Sequence, residues 1–311
     1  MFKKILYRKI MVATSILLVI MMLYLMPKED DIKQDINYIN TYNKAVIYLL
    51  DEANYVSRTT LPVSSNDSIT IAYDLIDGLT KNGKKKDIIP TYFKSVLPQG
   101  TKVLDISLKD GVLKLDLSKE FNNISPDNEE KVLESLVYTI TSIRGIDKLD
   151  LYVDGSKFIK LPNSKKEVPE LLDKSYGINK KYLMTNLDDI GAITIYYVSN
   201  NSQESYYIPV TKYINNKKDD RVRVIIDELT SNLIYESNLA SYLDMSTKLL
   251  DYEIIDEKIK LNFNDKILSN ITDNNILEEV MYSVGLSLCD ELNIKEVIFM
   301  VNNIEKGVFK E

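Results

Sequence analysis

Residues 95–118 (SVLPQGTKVLDISLKDGVLKLDLS) and 241–264 (SYLDMSTKLLDYEIIDEKIKLNFN) align without a gap, Ser95 against Ser241. Ser95/Ser241, Leu97/Leu243, Thr101/Thr247, Lys102/Lys248, Leu104/Leu250, Asp105/Asp251, Asp110/Asp256, Lys114/Lys260 and Leu115/Leu261 are identical. Three further pairs keep the same order at nearby offsets: residues 76–82 with 226–232, 61–63 with 208–210, and 146–155 with 294–303. A chain that repeats itself in this way is expected to fold as two copies of one unit. The copies are placed at residues 44–160 and 191–306, each long enough at about 115 residues to bury its own core. Residues 161–190 contain Pro162, Pro169, Gly177 and charge clusters, and read as a linker with room for one short helix.

The two copies share an order of elements. An extended run (45–50; 192–198) leads into a helix (68–81; 219–231) and then a hairpin. In the first hairpin Leu104, Ile106, Leu108 and Leu113, Leu115, Leu117 alternate with polar residues; the second has Leu250, Tyr252, Ile254 and Ile259, Leu261, Phe263. Strict alternation buries one face and wets the other. Asp110-Gly111 is a hairpin-turn signal. A second helix carries Leu133, Leu136, Val137, Ile140 and Ile143 at helical spacing, with Ser125-Pro126 as its expected cap and first turn. Gly145 and Asn293 punctuate the ends of the second helices, and Gly155 and Asn303 the ends of the last strands (149–153; 297–301). Glycine and asparagine are the residues that best tolerate a left-handed backbone. The fold class is therefore α+β: two β-α-β-β-α-β units, helices on one face of a small sheet.

Residues 10–26 (IMVATSILLVIMMLYLM) carry no charge, which is the short end of a membrane-spanning length. Lys3, Lys4, Arg8 and Lys9 precede them; Glu29, Asp30 and Asp31 follow. The positive-inside rule makes residues 1–9 a cytoplasmic tip, 10–26 a single transmembrane anchor, and 27–43 a polar tether to an extracytoplasmic body. A cleaved signal peptide would need small residues where Leu23-Tyr24-Leu25-Met26 stand. No cysteine is nearby for lipid attachment.

Composition removes most chemistry. The 311 residues include no His, no Trp and one cysteine, Cys289. That excludes histidine-based triads and dyads, imidazole metal sites and an internal disulfide. Net charge is −7, and the body beyond the basic tip is more acidic still, which argues against a nucleic-acid partner. The acidic pairs Asp30-Asp31, Asp188-Asp189 and Asp219-Asp220 and the run Lys84-Lys85-Lys86 read as solvated surface, Cys289 as a packed thiol, and Tyr196-Tyr197 and Tyr206-Tyr207 as interface markers. No catalytic, cofactor-binding or metal-binding residue is assigned, and no cofactor is expected.

The segments Pro98-Gln99-Gly100-Thr101-Lys102-Val103, Asp110-Gly111 and Leu115-Asp116-Leu117-Ser118-Lys119-Glu120-Phe121 resemble the central hairpin of the GerMN domain. Residues 137–142 (VYTITS) and Val153-Asp154-Gly155 resemble its second helix and closing strand. Copy two departs from the pattern, with Asp244 and Ser246 for the Pro-Gly pair and Asn302-Asn303 for Asp-Gly. The resemblance implies a domain like the ring-building motif of secretion-system rings. It implies a structural, non-enzymatic sporulation or germination role in the channel between mother cell and forespore. The implied partners are other subunits of a cell-envelope or stage III sporulation channel complex, including self-association through a helical face and a sheet edge. The alternative is an extracytoplasmic ligand- or peptidoglycan-binding, sensory module; a carboxylate enzyme is a third reading.

Overall fold

The computed structural model describes residues 14, 21, 43–199, 205–215, 220–231, 239–269 and 275–311. The expected anchor, residues 10–26, lies outside the described residues except for Thr14 and Met21, and so does most of the tether. Among the described residues no helix is long and apolar enough to cross a membrane. Residues from Asn43 to Glu311 form one compact unit.

The first repeat runs β1 (Asn43–Asp51), β2 (Val56–Val63), α1 (Ser68–Leu79), β3 (Phe93–Lys94), β4 (Val103–Lys109), β5 (Val112–Leu117), α2 (Glu129–Thr141), β6 (Lys148–Val153) and β7 (Ser156–Lys157). A two-residue strand, β8 (Lys181–Tyr182), lies between the repeats. The second repeat runs β9 (Ile190–Ser199), β10 (Tyr207–Asn215), α3 (Arg221–Thr230), β11 (Leu239–Ala240), β12 (Leu249–Ile255), β13 (Lys258–Phe263), α4 (Glu278–Leu292), β14 (Glu296–Val301) and β15 (Ile304–Lys310).

Each repeat thus has strands that the expected β-α-β-β-α-β order lacks: the short β3 and β11, the closing β7 and β15, and above all β2 and β10, which pair antiparallel with the strands before them. Both contain a proline, Pro62 and Pro209, the usual mark against a strand. The backbone shows why proline is tolerated. In a strand the N–H and C=O of one residue point to the same side. The Pro62 carbonyl accepts from Lys85 Nζ (3.0 Å) and the Pro209 carbonyl from Asn179 Nδ2 (2.7 Å), so both ring nitrogens face away from the hairpin partner. No ladder donor is missing on either hairpin.

The helices are also not on an outer face. In each repeat they lie between two sheets: α2 packs on β1 and β6, and α4 on β9, β14 and β15. The outer sheets are β4-β5-β6-β7 and β12-β13-β14-β15, each with one parallel pair, β5 with β6 and β13 with β14. The inner hairpins join into one seven-stranded sheet, ordered β11-β9-β10-β2-β1-β3 with β8 beside β10. The core is continuous across the repeats, from Leu113, Leu115 and Leu117 in β5 to Ile259, Leu261 and Phe263 in β13.

Local signals explain the helix ends. Asp67 accepts from Thr70 N–H at the start of α1 (2.9 Å), and Asp220 from Val222 N–H at the start of α3 (3.1 Å). Asn293 ends α4 in the left-handed region at φ 54°, and Gly145 follows α2 at φ 84°. Gly155 and Asn303 share the same conformation, at φ 74° and 65°. Ser125 caps no α-helix: Pro126–Asn128 form a 3-10 turn and α2 begins at Glu129. The Glu129 carboxylate instead reaches forward, accepting from the amides of Asn163 and Ser164. Burial works against its ionisation, yet those amides outweigh it and hold the carboxyl below its usual range.

The stretch expected as a linker is packed. Leu161, Val168, Leu172 and Ile178 are buried, and Leu172 exchanges two backbone hydrogen bonds with Leu149 of β6.

Candidate functional site: two exposed sheet edges

The first and last strands of an open sheet have unpaired edges. β4 and β12 are such strands, and each is the first arm of the repeated hairpin. Their registers set Ile106 opposite Leu115, Leu108 opposite Leu113, Tyr252 opposite Leu261 and Ile254 opposite Ile259. The apolar residues of the second arms are fully buried, whereas the first arms are only partly covered. Leu104 keeps 52% of its surface exposed, and its counterpart Leu250 keeps 48%, as does Ile254. The alternation expected from sequence holds at Ile106, Leu108, Tyr252 and Ile254 but breaks at the two leucines: a bulge between Val103 and Asp105, repeated between Leu249 and Asp251, leaves Leu104 and Leu250 without a partner on the second arm and sets Val103 and Leu249 opposite Leu117 and Phe263. The Asp110-Gly111 turn has both residues at positive φ (50° and 76°), as a tight two-residue hairpin demands.

The tyrosine pairs expected at an interface lie elsewhere. Tyr196, Tyr197 and Tyr206 are buried and Tyr207 is half-buried, stacked on Tyr282 (5.3 Å). Tyr196 meets Tyr48, its counterpart in the first repeat, hydroxyl to hydroxyl at 2.9 Å. The pairing extends to the helices behind them: Tyr48 N–H donates to Thr139 Oγ1 (3.0 Å) and Tyr196 N–H to Ser287 Oγ (2.9 Å). Asp290 accepts from Tyr196 (3.1 Å) and from Lys174. Burial pushes both the Tyr48 and Tyr196 phenols up, with the Asp290 charge adding to it.

Where β2 and β10 part after the single register Arg58/Tyr207, Asn179 fills the gap. Its side chain accepts from Val56 N–H (2.9 Å) and donates to the carbonyls of Val56 (2.8 Å) and Pro209 (2.7 Å). Its own N–H donates to Glu134 (2.9 Å), whose carboxyl burial pushes up against the pull of Lys180. Sequence reasoning passed over Asn179, because an asparagine in a polar stretch carries no sign of a partner 123 residues away.

The remaining charged groups singled out in the sequence are not brought together among the described residues. Asp188 is exposed, Asp220 is a helix cap, and Asp30, Asp31 and Asp219 lie outside the described residues. Buried Asp51 is used structurally, accepting from Tyr55 N–H (2.8 Å), Ser57 (3.0 Å) and Tyr206 (3.0 Å). Lys84 and Lys86 are exposed, while Lys85 is held by Asp74 (3.4 Å). Among the described residues, no group of three or more Cys, Asp or Glu is placed to hold a metal.

Cys289 is buried on α4, and burial pushes its thiol up to about 12, with the Glu311 and Asp290 charges adding to it. The thiolate is the reactive form. The native chain is therefore expected to resist a thiol reagent such as DTNB at pH 8 and to react stoichiometrically once unfolded in urea. Rapid native labelling would contradict the packed reading.

Two copies of a sheet–helix–sheet unit, each ending in a half-covered edge, define a tandem α+β repeat protein. A family model described as Germane, sporulation and spore germination, matches residues 46–158 and again 194–307. The chain belongs to this GerMN-domain family. It is similar to the spore germination protein GerM of Bacillus subtilis, 32% identical over 261 residues, covering 82% of this chain and 70% of that protein. The solved tandem GerMN domains of GerM from Bacillus subtilis superpose with a TM-score of 0.77 at 29% identity, covering 86% of this chain and 96% of that one. Cytotoxin-L of Paraclostridium sordellii is 27% identical over 158 residues, 50% of this chain and 6% of the toxin.

Proposed function

We propose that this chain is a non-enzymatic scaffold of sporulation. Residues 10–26 hold it in the cell membrane with residues 1–9 inside, and the two repeats act outside it. There it contributes to a ring or channel assembly between mother cell and forespore, touching neighbouring protein subunits and other copies of itself. The family and the likeness to GerM support the sporulation setting. The observation that carries the scaffold reading is the duplicated edge: Leu104 on β4 and Leu250 on β12 occupy the same place in each repeat, half exposed beside a buried core. Apolar residues on an unpaired strand are a liability unless something covers them.

Crosslinking of the membrane-bound chain in sporulating cells tests this. Neighbour-dependent multimers are expected. The double variant Leu104→Lys/Leu250→Lys is expected to lose them while its stability stays within about 0.5 kcal/mol, as for other exposed positions. Multimers unaffected by both lysines, or a chain that never crosslinks, would sink the reading. Constitutive expression in growing cells would remove its sporulation part.

A further inference from the structure

Residues 81–94 reverse the charge of the chain. They contain Lys81, Lys84, Lys85, Lys86 and Lys94 against the single acid Asp87, in a protein of net charge −7. Lys85 is committed, bonded to the Pro62 carbonyl and paired with Asp74. Lys81, Lys86 and Lys94 instead line a cleft of about 620 Å³, with Asp87 among them, whose apolar wall is Ile89, Pro90 and Phe93. All three lysines are exposed, and among the described residues none of them has an ion-pair partner.

The frame of this cleft is fixed before anything enters it. Lys81 N–H donates to the Leu97 carbonyl (3.0 Å), Gly83 N–H to Thr80 (2.9 Å) and Phe93 N–H to Pro90 (2.9 Å). Lys94 is held in β3 opposite Leu50 of β1. Gly83 is required where it stands, because a Cβ there would lie 2.2 Å from the Asp77 carbonyl oxygen. A fixed frame loses little backbone entropy when a ligand binds, which leaves only the three lysine side chains to be ordered.

The donor set favours an anion, since three lysines stand against one carboxylate, Asp87, in the lining. Lysine is a common phosphate ligand that acts as a point charge, without the bidentate fork by which arginine holds carboxylate and phosphate alike. No arginine lines the cleft. The apolar wall asks for a hydrocarbon beside the anion. We propose that this cleft binds a phosphate ester carried on an apolar group, the chemistry shared by the headgroup region of an acidic phospholipid and a free phosphate ester.

Calorimetric titration of the full-length chain in non-ionic detergent tests this, with dihexanoylphosphatidylglycerol, dihexanoylphosphatidylcholine and inorganic phosphate as probes. The phosphatidylglycerol is expected to bind saturably and more tightly than the phosphatidylcholine. Affinity is expected to fall about tenfold in the triple variant Lys81→Gln/Lys86→Gln/Lys94→Gln, with the urea midpoint unchanged. Inorganic phosphate binding as tightly as the phosphatidylglycerol would overturn the proposal, because the apolar wall would then contribute nothing. Saturable binding of none of the probes, equal binding of the two lipids, or equal binding by the triple variant would overturn it.

Discussion

Replacing Asn179 with alanine is expected to destabilise the body by about 3 kcal/mol, read as a lower urea midpoint at unchanged slope. The amide bonds three backbone groups at the place where β2 and β10 diverge: Val56 N–H, Val56 C=O and Pro209 C=O. A polar group left without a partner costs about 1–3 kcal/mol when buried, and less where water enters, so the half-exposed site sets the sum near the low end. The backbone at Asn179 is left-handed (φ 47°), which adds roughly 1 kcal/mol for alanine. Two companions separate the contributions. Asn179→Gly keeps the conformation and loses the amide, so it should remain within about 1 kcal/mol of alanine. Asn179→Asp keeps the acceptor for Val56 N–H but turns a carboxylate toward two carbonyls, and should be the worst of the three. Wild-type stability in the alanine variant would mean that the seam does not depend on this residue.

Gly285→Ala is the second substitution expected to act strongly. Two effects oppose each other. Alanine is favoured over glycine inside a helix by about 1 kcal/mol. A Cβ at this position on α4, however, would stand 2.4 Å from Cγ and Cδ1 of Phe309. Phe309 cannot easily retreat: it is buried, lies opposite Val297 in the β14–β15 ladder and packs edge-on against Tyr282 (5.1 Å). Overpacking of this kind costs up to about 3 kcal/mol and sometimes more, so the clash wins and the net loss is about 2 kcal/mol. A helix surface that simply tolerated glycine would give the opposite sign, a gain. Phe309→Leu in the Gly285→Ala background should recover part of the loss, because leucine keeps Cγ and Cδ1 but not the rigid ring, and can turn them away from the new methyl group.

How far these arrangements could be read beforehand depended on the range over which each is decided. The duplication, both hairpins, four helices and the strands β6 and β14 follow from local patterns, whereas β7 and β15 after them do not, and Gly145, Asn293, Gly155 and Asn303 adopt the left-handed backbone their identities suggest. The strands β2 and β10 were hidden by Pro62 and Pro209, whose nitrogens turn out to face away from their hairpin partners. Tyr196 and Tyr197 looked like surface because alternate residues of a strand usually reach water. β9 instead is buried on both faces over most of its length. Its partners Tyr48, Ser287 and Asp290 lie 91 or more residues away in sequence. No local pattern encodes such meetings. The exposed edges were half legible: alternation located the apolar rows, and only the sheet order revealed that β4 and β12 have no outer neighbour.

Tandem modules on a floppy tether behave as independent hooks, and the span between them sets how strongly the second engages once the first has caught. The seven-stranded sheet takes that freedom away. With β2 laid against β10, and Asn179, Tyr48 and Tyr196 clasping the join, Leu104 and Leu250 are carried on one frame like the jaws of a caliper. Any neighbour gripping both must match a gap the fold has already chosen, so the geometry of a larger array would be dictated by each subunit before the first two ever collide.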